Sequence, residues 1–327
     1  MNDPAPRPAA HWLMNRPYLL LSLAPLFWAG NIVLGRFIAP DFPPMALSVL
    51  RWGCACLIIL PFAWPHLRAD WPVIRKHLPL LTLLSLTGLT GYNAIAYLGL
   101  QSTQALNALL IQSSGPLFVA LWSLILLGIR LTWPQTVGIC ISLLGVLTIL
   151  SRGHPEALAA IHLNKGDLLV TLGMIVFGIY SVLAMKRPAI HPLAFIAFTS
   201  GYGTLLLIPA LIVEILHGRH PALSVDNALT LVYVAIFPSI LSYLFFNRGV
   251  ELIGANRAAP FFHLIPVFGS VMAIVFLGER PQLFHAIGYA LVLAGVVIAA
   301  RRPLVNPKQR KPAGLTDETR QKASSNS

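Results

Sequence analysis

The chain has 327 residues, of which 56% are hydrophobic and only 10% are charged, and its mean hydropathy is +0.73. Soluble domains carry about 25% charged residues, so this composition excludes a soluble globular protein and predicts an integral membrane protein. The formal net charge of +12 could suggest nucleic-acid binding. The basic residues, however, lie at the ends of apolar segments and in the C-terminal tail, which argues against a basic binding face and predicts no nucleic-acid partner.

Ten apolar segments approach the length of about 20 residues that a membrane-spanning helix needs. They cover residues 18–39, 44–63, 78–100, 104–127, 133–151, 167–187, 193–214, 228–248, 256–277 and 283–301. The first is too long for the apolar core of a signal peptide and is predicted to be retained. Only the connecting segments 64–77, 152–166 and 215–227 are long enough to form loops. The polar tail 303–327 is predicted to be disordered.

The distribution of positive charge predicts the orientation of these spans. With the N-terminal segment 1–17 in the cytoplasm, 17 of the 23 Lys and Arg residues fall on the cytoplasmic side. Both termini are therefore predicted to be cytoplasmic.

The cysteines Cys54, Cys56 and Cys140 lie in apolar runs without disulfide or metal-binding spacing. They are predicted to be buried apolar side chains, and no metal site is expected.

The sequence contains an internal duplication, because residues 99–152 match residues 249–302 after a shift of 150 positions. Residues that find the same type in the second copy include Gly99, Pro116, Gly128, Arg130, Gly138, Gly145 and Arg152. We therefore predict one repeat over 18–152, a periplasmic linker over 153–166 and a second repeat over 167–302. Since five spans per repeat is an odd number, the second copy must enter from the opposite side. Inverted repeats are typical of secondary transporters, whose substrate sites lie near the membrane midplane.

Several short motifs resemble the EamA family of the drug/metabolite transporter superfamily. Phe27-Trp28-Ala29-Gly30-Asn31 resembles its "W-G-x-N" signature, and Arg51 resembles the arginine common in its second helix. Pro116 with Gly128 and Arg130, and Pro266 with Gly278-Glu279-Arg280, resemble its "P…l-G-E-R" motif. The resemblance implies a ten-helix exporter of amino acids, metabolites or toxic compounds in the bacterial inner membrane. The first repeat departs from it at Gly128-Ile129-Arg130, and the second has Gly178-Ile179-Tyr180-Ser181 where "W-G-x-N" would fall.

Pro116 and Pro266 are expected to break the fourth and ninth spans. A proline inside a helix removes one hydrogen bond and displaces the carbonyl four residues earlier, here those of Gln112 and Phe262. A freed carbonyl at membrane depth must face protein or a wet cavity. The polar neighbours of the two prolines favour a cavity, although a kink satisfied by local packing is the alternative.

The repeat also aligns polar residues with one another. The shift of 150 pairs Asn31 with Ser181, Asn93 with Tyr243, Tyr97 with Asn247 and Ser113 with His263. Trp28, Gln112 and Tyr180 lie near these residues along their spans, and Arg51 is a permanent charge inside the second span. The predicted substrate site comprises Trp28, Asn31, Arg51, Asn93, Tyr97, Gln112, Ser113, Tyr180, Ser181, Tyr243, Asn247 and His263. The alternative is that these groups only join helices by hydrogen bonds, at about 0.6 kcal/mol each.

Arg51 has three interpretations at this stage: it holds a substrate carboxylate, anchors helix-end carbonyls, or extends outward to the interface. All eleven carboxylates fall in tails, loops or helix ends, so His263 is predicted to be the only buried titratable group able to carry a proton.

The sequence as a whole predicts an all-α membrane protein of ten transmembrane helices in two inverted five-helix repeats. The predicted function is secondary transport, as an exporter, of small amphipathic metabolites such as amino acids by alternating access. The alternative is a flippase-like or other lipid-handling protein of the same fold. No enzyme activity, cofactor or ATP use is predicted. The expected partners are a small-molecule substrate and the lipid bilayer, and the chain is expected to be a monomer or a homodimer.

Overall fold

The computed structural model of the chain is all-helical over the residues that it describes, which are 12–128, 132–154, 164–222, 224–253 and 259–300. The helices, numbered in chain order, are α1 Pro17–Phe37, α2 Pro44–Lys76, α3 Leu78–Leu100, α4a Ala105–Gln112, α4b Gly115–Leu127, α5 Trp133–Leu150, α6 Lys165–Leu183, α7 Pro192–Leu216, α8 Val225–Ile253, α9 Leu264–Leu277 and α10 Leu283–Ala300. The first eleven residues and the predicted tail 303–327 lie outside the described ranges.

These helices account for the predicted spans. In the described part of the chain, six helices are long and apolar enough to cross a membrane, and the bent pair α4a–α4b forms a seventh span. The shorter apolar helices α5, α9 and α10 correspond to the remaining three. Large apolar side chains such as Leu57, Leu205 and Val275 are more than 60% exposed, as expected for helix faces that contact lipid. The prediction of an all-α membrane protein is confirmed.

The helix pairing follows the two-fold relationship between the repeats. Helix α3 packs on α6 as α8 packs on α1, and α4b packs on α6 as α9 packs on α1. The pairs α2–α7 and α5–α10 each join equivalent helices of the two halves. In the last pair, the Ser142 hydroxyl of α5 donates to the Val292 carbonyl, which lies 150 residues later in sequence. A two-fold axis that exchanges the halves produces this set of pairs.

Two equivalent glycines end the broken spans in the same way. Gly128 follows α4b and Gly278 follows α9, and both have a φ of 65°. This left-handed conformation is accessible to glycine without a steric penalty, which explains why both repeats place glycine there.

Two predictions about local structure are wrong. The segment 64–77, predicted as a loop, is almost entirely the continuation of α2, which has 33 residues and contains Pro61, Pro65 and Pro72. Carbonyls that prolines leave free near a helix end can bond to water at the membrane surface, so the helix persists. The cysteines are also not buried, because Cys54 and Cys56 are half-buried and Cys140 is exposed. An apolar spanning helix can turn any apolar residue toward lipid, so hydropathy alone does not predict which residues are buried.

Candidate functional site

A hydrogen-bonded cluster in the interior of the bundle is organised around Arg51 of α2. Its Nε donates to the Ser239 hydroxyl at 2.7 Å, and its Nη1 donates to Asn93 Oδ1 at 2.6 Å and to the Tyr97 hydroxyl at 2.7 Å. Tyr97 in turn donates to Asn31 Oδ1 at 2.5 Å. The cluster therefore joins α1, α2 and α3 of the first repeat to α8 of the second. We call these five residues the arginine cluster.

This geometry disagrees with two of the three interpretations of Arg51. Its side chain is only 2% exposed, so it does not extend to the membrane interface. Its bonds go to side chains of Ser239, Asn93 and Tyr97 and not to helix-end carbonyls. The cluster holds α2, α3 and α8 together, so Arg51 has a structural role through side chains, and the binding of a substrate carboxylate stays a prediction.

The guanidinium of Arg51 has no counter-charge within the described part of the chain. The ion pairs found there join Arg219 to Glu214 and Arg248 to Glu251. Each hydrogen-bond acceptor of Arg51 is a neutral hydroxyl or amide oxygen, and its Nη2 makes no hydrogen bond to a described residue. A buried charge without a partner is costly, so an isolated guanidinium at this depth points to a functional role.

Aromatic side chains lie beside the arginine cluster. Trp28 stacks on Phe262 with ring centroids 5.4 Å apart and meets Tyr243 edge-on at 5.7 Å. The Trp28 indole nitrogen donates to the Pro238 carbonyl at 3.1 Å, which fixes the ring. Phe246 contacts both Trp28 and Phe262. These four rings come from α1, α8 and the turn before α9, and so they join the two repeats.

Three tyrosines connect the aromatic rings with the arginine cluster. The phenols of Tyr92 and Tyr180 both lie within electrostatic range of Tyr243. The guanidinium of Arg51 is also within electrostatic range of the phenols of Tyr92 and Tyr243. The centre of the bundle thus combines apolar ring faces, phenols and one unpaired positive charge, a combination suited to an amphipathic solute that carries a negative group.

Both central helices contain a π-helical turn next to this region. The turn in α3 is Ser85–Leu89 and the turn in α8 is Phe237–Leu241, at nearly equivalent positions of the two repeats. Ser239 lies in the second of them, and Asn93 Nδ2 donates to the carbonyl of Leu89, the last residue of the first. Such turns are rare and often occur at functional sites. They were not predicted, because no proline or motif marks the turn in α3.

Other predicted site residues are not part of the arginine cluster. Ser113 and Ser181 donate to carbonyls of their own helices, those of Leu109 and Phe177. Asn247 is exposed. Gln112 and His263 are half-buried, and neither side chain forms a hydrogen bond to a described residue.

The two predicted helix breaks lie where the prolines begin a new helical segment. The fourth span bends by 42° between α4a and α4b, and Pro116 is in the first turn of α4b. Pro266 is in the first turn of α9, after a 3₁₀ turn over Ala259–His263. A proline in a first turn costs no intrahelical hydrogen bond, so each break is compatible with its local sequence.

One carboxylate of the second repeat, that of Glu279, holds the N-terminus of α4a. The Glu279 oxygens accept from the backbone N–H groups of Ala105 and Leu106, each at 2.8 Å. This contact gives the acidic residue of the second "G-E-R" motif a structural role, since the N–H groups of a first helical turn have no partner within the helix. It also fastens the half-helix α4a, which belongs to the first repeat, to the second. We call it the Glu279 cap.

A second buried network lies close to this cap. Asp167 of α6 is 0% exposed and accepts from the Thr103 hydroxyl and from Asn107 Nδ2, which is 3.1 Å from both carboxylate oxygens. His285 Nδ1 accepts from the Gln282 N–H, so His285 Nε2 donates to Asn107 Oδ1 at 2.9 Å. The expectation that His263 is the only buried titratable group is therefore wrong, because His285 is 4% exposed and Asp167 is fully buried. Asp167 and His285 lie near helix ends in the sequence, and the sequence does not indicate that these helix ends pack against one another.

The motifs and the repeat do not identify Ser239, Trp52 or Ser48. Ser239 pairs under the shift of 150 with the apolar Leu89, so the repeat gives no signal for it. Trp52 follows Arg51 directly, and the guanidinium carbon lies 4.7 Å from the centre of its ring. Position along α2 could have indicated Ser48, because it is three residues from Arg51 and residues three or four apart share a helix face.

A bundle of inverted repeats with a polar, aromatic centre is the architecture of a membrane transporter, and comparison with known proteins agrees. The EamA-like transporter family matches residues 15–151 and 164–301, and the chain belongs to this family. It is 28% identical to the uncharacterized transporter YyaM of Bacillus subtilis (strain 168), over 90% of this chain and 97% of that protein. It is 27% identical to a protein of Streptantibioticus cattleyicolor named as a probable terminal-alkyne amino-acid exporter, over 92% of this chain and 99% of that protein.

One solved structure, described only as the crystal structure of a protein, has the same fold. It aligns with a TM-score of 0.59 and 21% identity, over 89% of this chain and 98% of that chain. The fold, the family and the names of the relatives agree that the chain is a multi-pass membrane transporter.

Proposed function

We propose that the protein is a secondary transporter that exports small amphipathic metabolites, such as amino acids, across the bacterial inner membrane by alternating access. The observation that carries the proposal is the arginine cluster, in which side chains of both repeats converge on one buried, unpaired charge. In transporters of inverted repeats, the site at the repeat interface becomes accessible from each side as the repeats rock against one another.

Other contacts between the repeats support the proposal. The Glu279 cap and the bend of 42° between α4a and α4b make α4a a short rigid element with a hinge at one end and a latch at the other. By the distribution of positive charge, this latch lies at the periplasmic end. Opening toward the periplasm would then require its release. The relative named as an amino-acid exporter supports the choice of substrate class.

The lipid-handling alternative has less support. The groove between α2 and α8 that opens toward lipid has a volume of about 320 Å³. Its walls are Cys54, Leu57, Ile58, Leu231, Val232, Ala235 and Ile236, which offer no basic group to a lipid phosphate. We therefore place the transported solute at the arginine cluster and not in this groove.

The test is uptake into liposomes that contain the purified protein, measured with a panel of radiolabelled amino acids. Trp28→Ala, Asn93→Ala and Tyr243→Ala should each reduce uptake at least about tenfold while the protein is still produced, because they alter the walls of the site. Asn247→Ala is the matched control, since this asparagine is exposed and should tolerate truncation. Normal uptake in all three site variants at equal abundance would show that these residues only join helices.

A further inference from the structure

Two buried polar atoms have no hydrogen-bond partner within the described residues, and both lie beside Arg51. They are the Ser48 hydroxyl oxygen and the Trp52 indole nitrogen, on side chains that are 0% exposed. Ser48 is three residues before Arg51 and four before Trp52, so its side chain neighbours both on the surface of α2. The guanidinium carbon of Arg51 lies 4.7 Å from the centre of the Trp52 ring. An unsatisfied buried group costs about 1–3 kcal/mol, and native proteins rarely retain one without a reason.

Comparable buried side chains elsewhere in the described part of the chain are satisfied. The buried Ser200 hydroxyl donates to the Ile196 carbonyl at 2.6 Å, the usual bond of a helical serine to the preceding turn. The indole nitrogens of Trp28 and Trp122 donate to carbonyls at 3.1 and 3.0 Å. The unpaired groups of Ser48 and Trp52 are therefore specific to this turn of α2.

Arg51 adds a third unpaired group and a charge. Its Nη2 donates to no described residue, and its guanidinium lies against the Trp52 ring. One turn of helix thus offers three hydrogen-bond donors, two N–H groups and one O–H group, with a single positive charge and no negative charge. A carboxylate supplies the missing complement, because it carries one negative charge and accepts about four hydrogen bonds.

We propose that Ser48, Arg51 and Trp52 form a subsite that binds the carboxylate of the transported solute. This inference rests on the proposed transport function and specifies its substrate class as carboxylic acids. One guanidinium balances one carboxylate, whereas a phosphate monoester carries about −1.5 to −2 charges and would remain partly uncompensated. Ser48 and Trp52 are 0% exposed and Arg51 is 2% exposed, so the carboxylate enters when α2, α3 and α8 separate and the bonds of Arg51 to Asn93 and Ser239 are exchanged for it.

The subsite predicts that stability and affinity change in opposite directions. Ser48→Ala and Trp52→Phe remove unsatisfied donors, so the thermal unfolding temperature should stay the same or rise. The same variants should bind a carboxylate at least about tenfold more weakly, the loss expected for one hydrogen bond to a charged group. Ser200→Ala and Trp122→Phe are the matched controls. They remove satisfied donors, so they should lower the unfolding temperature and leave the affinity unchanged.

The experiment compares leucine, N-acetylleucine, leucinamide and phenyl phosphate as ligands of the full-length protein. Affinity is measured by ligand-induced thermal stabilisation in detergent, and transport by competition against labelled leucine uptake in liposomes. The two acids should bind and compete, and leucinamide, which lacks the carboxylate, should be at least about tenfold weaker. Arg51→Lys should weaken the acids, because an ammonium cannot replace the guanidinium fork.

The outcomes separate this proposal from the proposed function. If leucinamide or phenyl phosphate binds as well as the acids, or if Ser48→Ala and Trp52→Phe leave acid affinity unchanged, the carboxylate subsite is refuted while transport can stand. Failure of the acids to stabilise the wild-type protein also refutes the subsite. Acids that stabilise the protein through Ser48 and Trp52 without any uptake would instead support the subsite and contradict transport.

Discussion

Replacing Glu279 with alanine should release α4a from the second repeat. The change removes two hydrogen bonds of 2.8 Å to the backbone N–H groups of Ala105 and Leu106. A single side-chain cap contributes about 0.5–2 kcal/mol, and a negative charge at a helix N-terminus adds about 0.3–1 kcal/mol. Glu279 is half-buried, so values in the lower half of these ranges apply. With about 0.8 kcal/mol for each bond and about 0.4 kcal/mol for the charge, the cap should contribute about 2 kcal/mol. This corresponds to a roughly 30-fold larger open population.

The assay measures how fast a cysteine at Ala108, which is 0% exposed, reacts with a membrane-impermeant maleimide added from outside. The three native cysteines are first replaced by serine, and all variants are compared at one pH so that thiol reactivity is constant. Glu279→Ala should raise the labelling rate roughly 30-fold if labelling samples the open state.

The matched control for this assay is Glu251→Ala. The Glu251 carboxylate pairs with Arg248 at 3.0 Å but is 64% exposed. Exposed pairs contribute little, so the labelling rate should stay within about twofold of the parent. An unchanged rate in Glu279→Ala, or an equal increase in both variants, would refute the latch.

Three further predictions concern topology, packing and coupling. A cysteine replacing His154 should react from outside, and one replacing Arg187 only after permeabilisation; labelling of both from one side would contradict the inverted repeats. Gly88→Ala should lower transport and cost about 1–3 kcal/mol of stability, because the new Cβ would lie 2.1 Å from the ring of Tyr180; an unchanged unfolding temperature would contradict this. Any accumulation of substrate driven by a pH gradient should disappear in at least one of His263→Gln, Asp167→Asn and His285→Gln, since Asp167 and His285 are buried titratable groups as well; persistence in all three variants would contradict this.

The fold could be predicted in outline because two simple signals dominate the sequence. Apolar length marks spanning segments, and α3 has the bounds predicted for it, Leu78–Leu100. The internal duplication then indicates which helices of the two repeats are equivalent and pack against one another. The extension of α2 through 64–76 could not be predicted, because three prolines normally indicate the end of a helix and the structure instead retains the helix around them.

The arginine cluster could be predicted only in part. The sequence predicts Asn93 and Tyr97 because they are one turn apart and align with polar residues of the other repeat, and the structure brings both to Arg51. The same argument predicts Asn247, which is exposed. The repeat aligns residue types, but the orientation of each side chain depends on local geometry. The π-turn in α8 changes that geometry, and it also brings Ser239 to Arg51.

The central claim is that the two repeats form a carrier with one site that faces each side in turn. The most direct measurement is counterflow, in which liposomes preloaded with unlabelled leucine are diluted into a trace of labelled leucine. A carrier predicts a transient accumulation of label above equilibrium in the wild-type protein, and its loss in Asn93→Ala at equal protein abundance. Uptake that never exceeds equilibrium and rises linearly with leucine concentration would contradict alternating access at the arginine cluster.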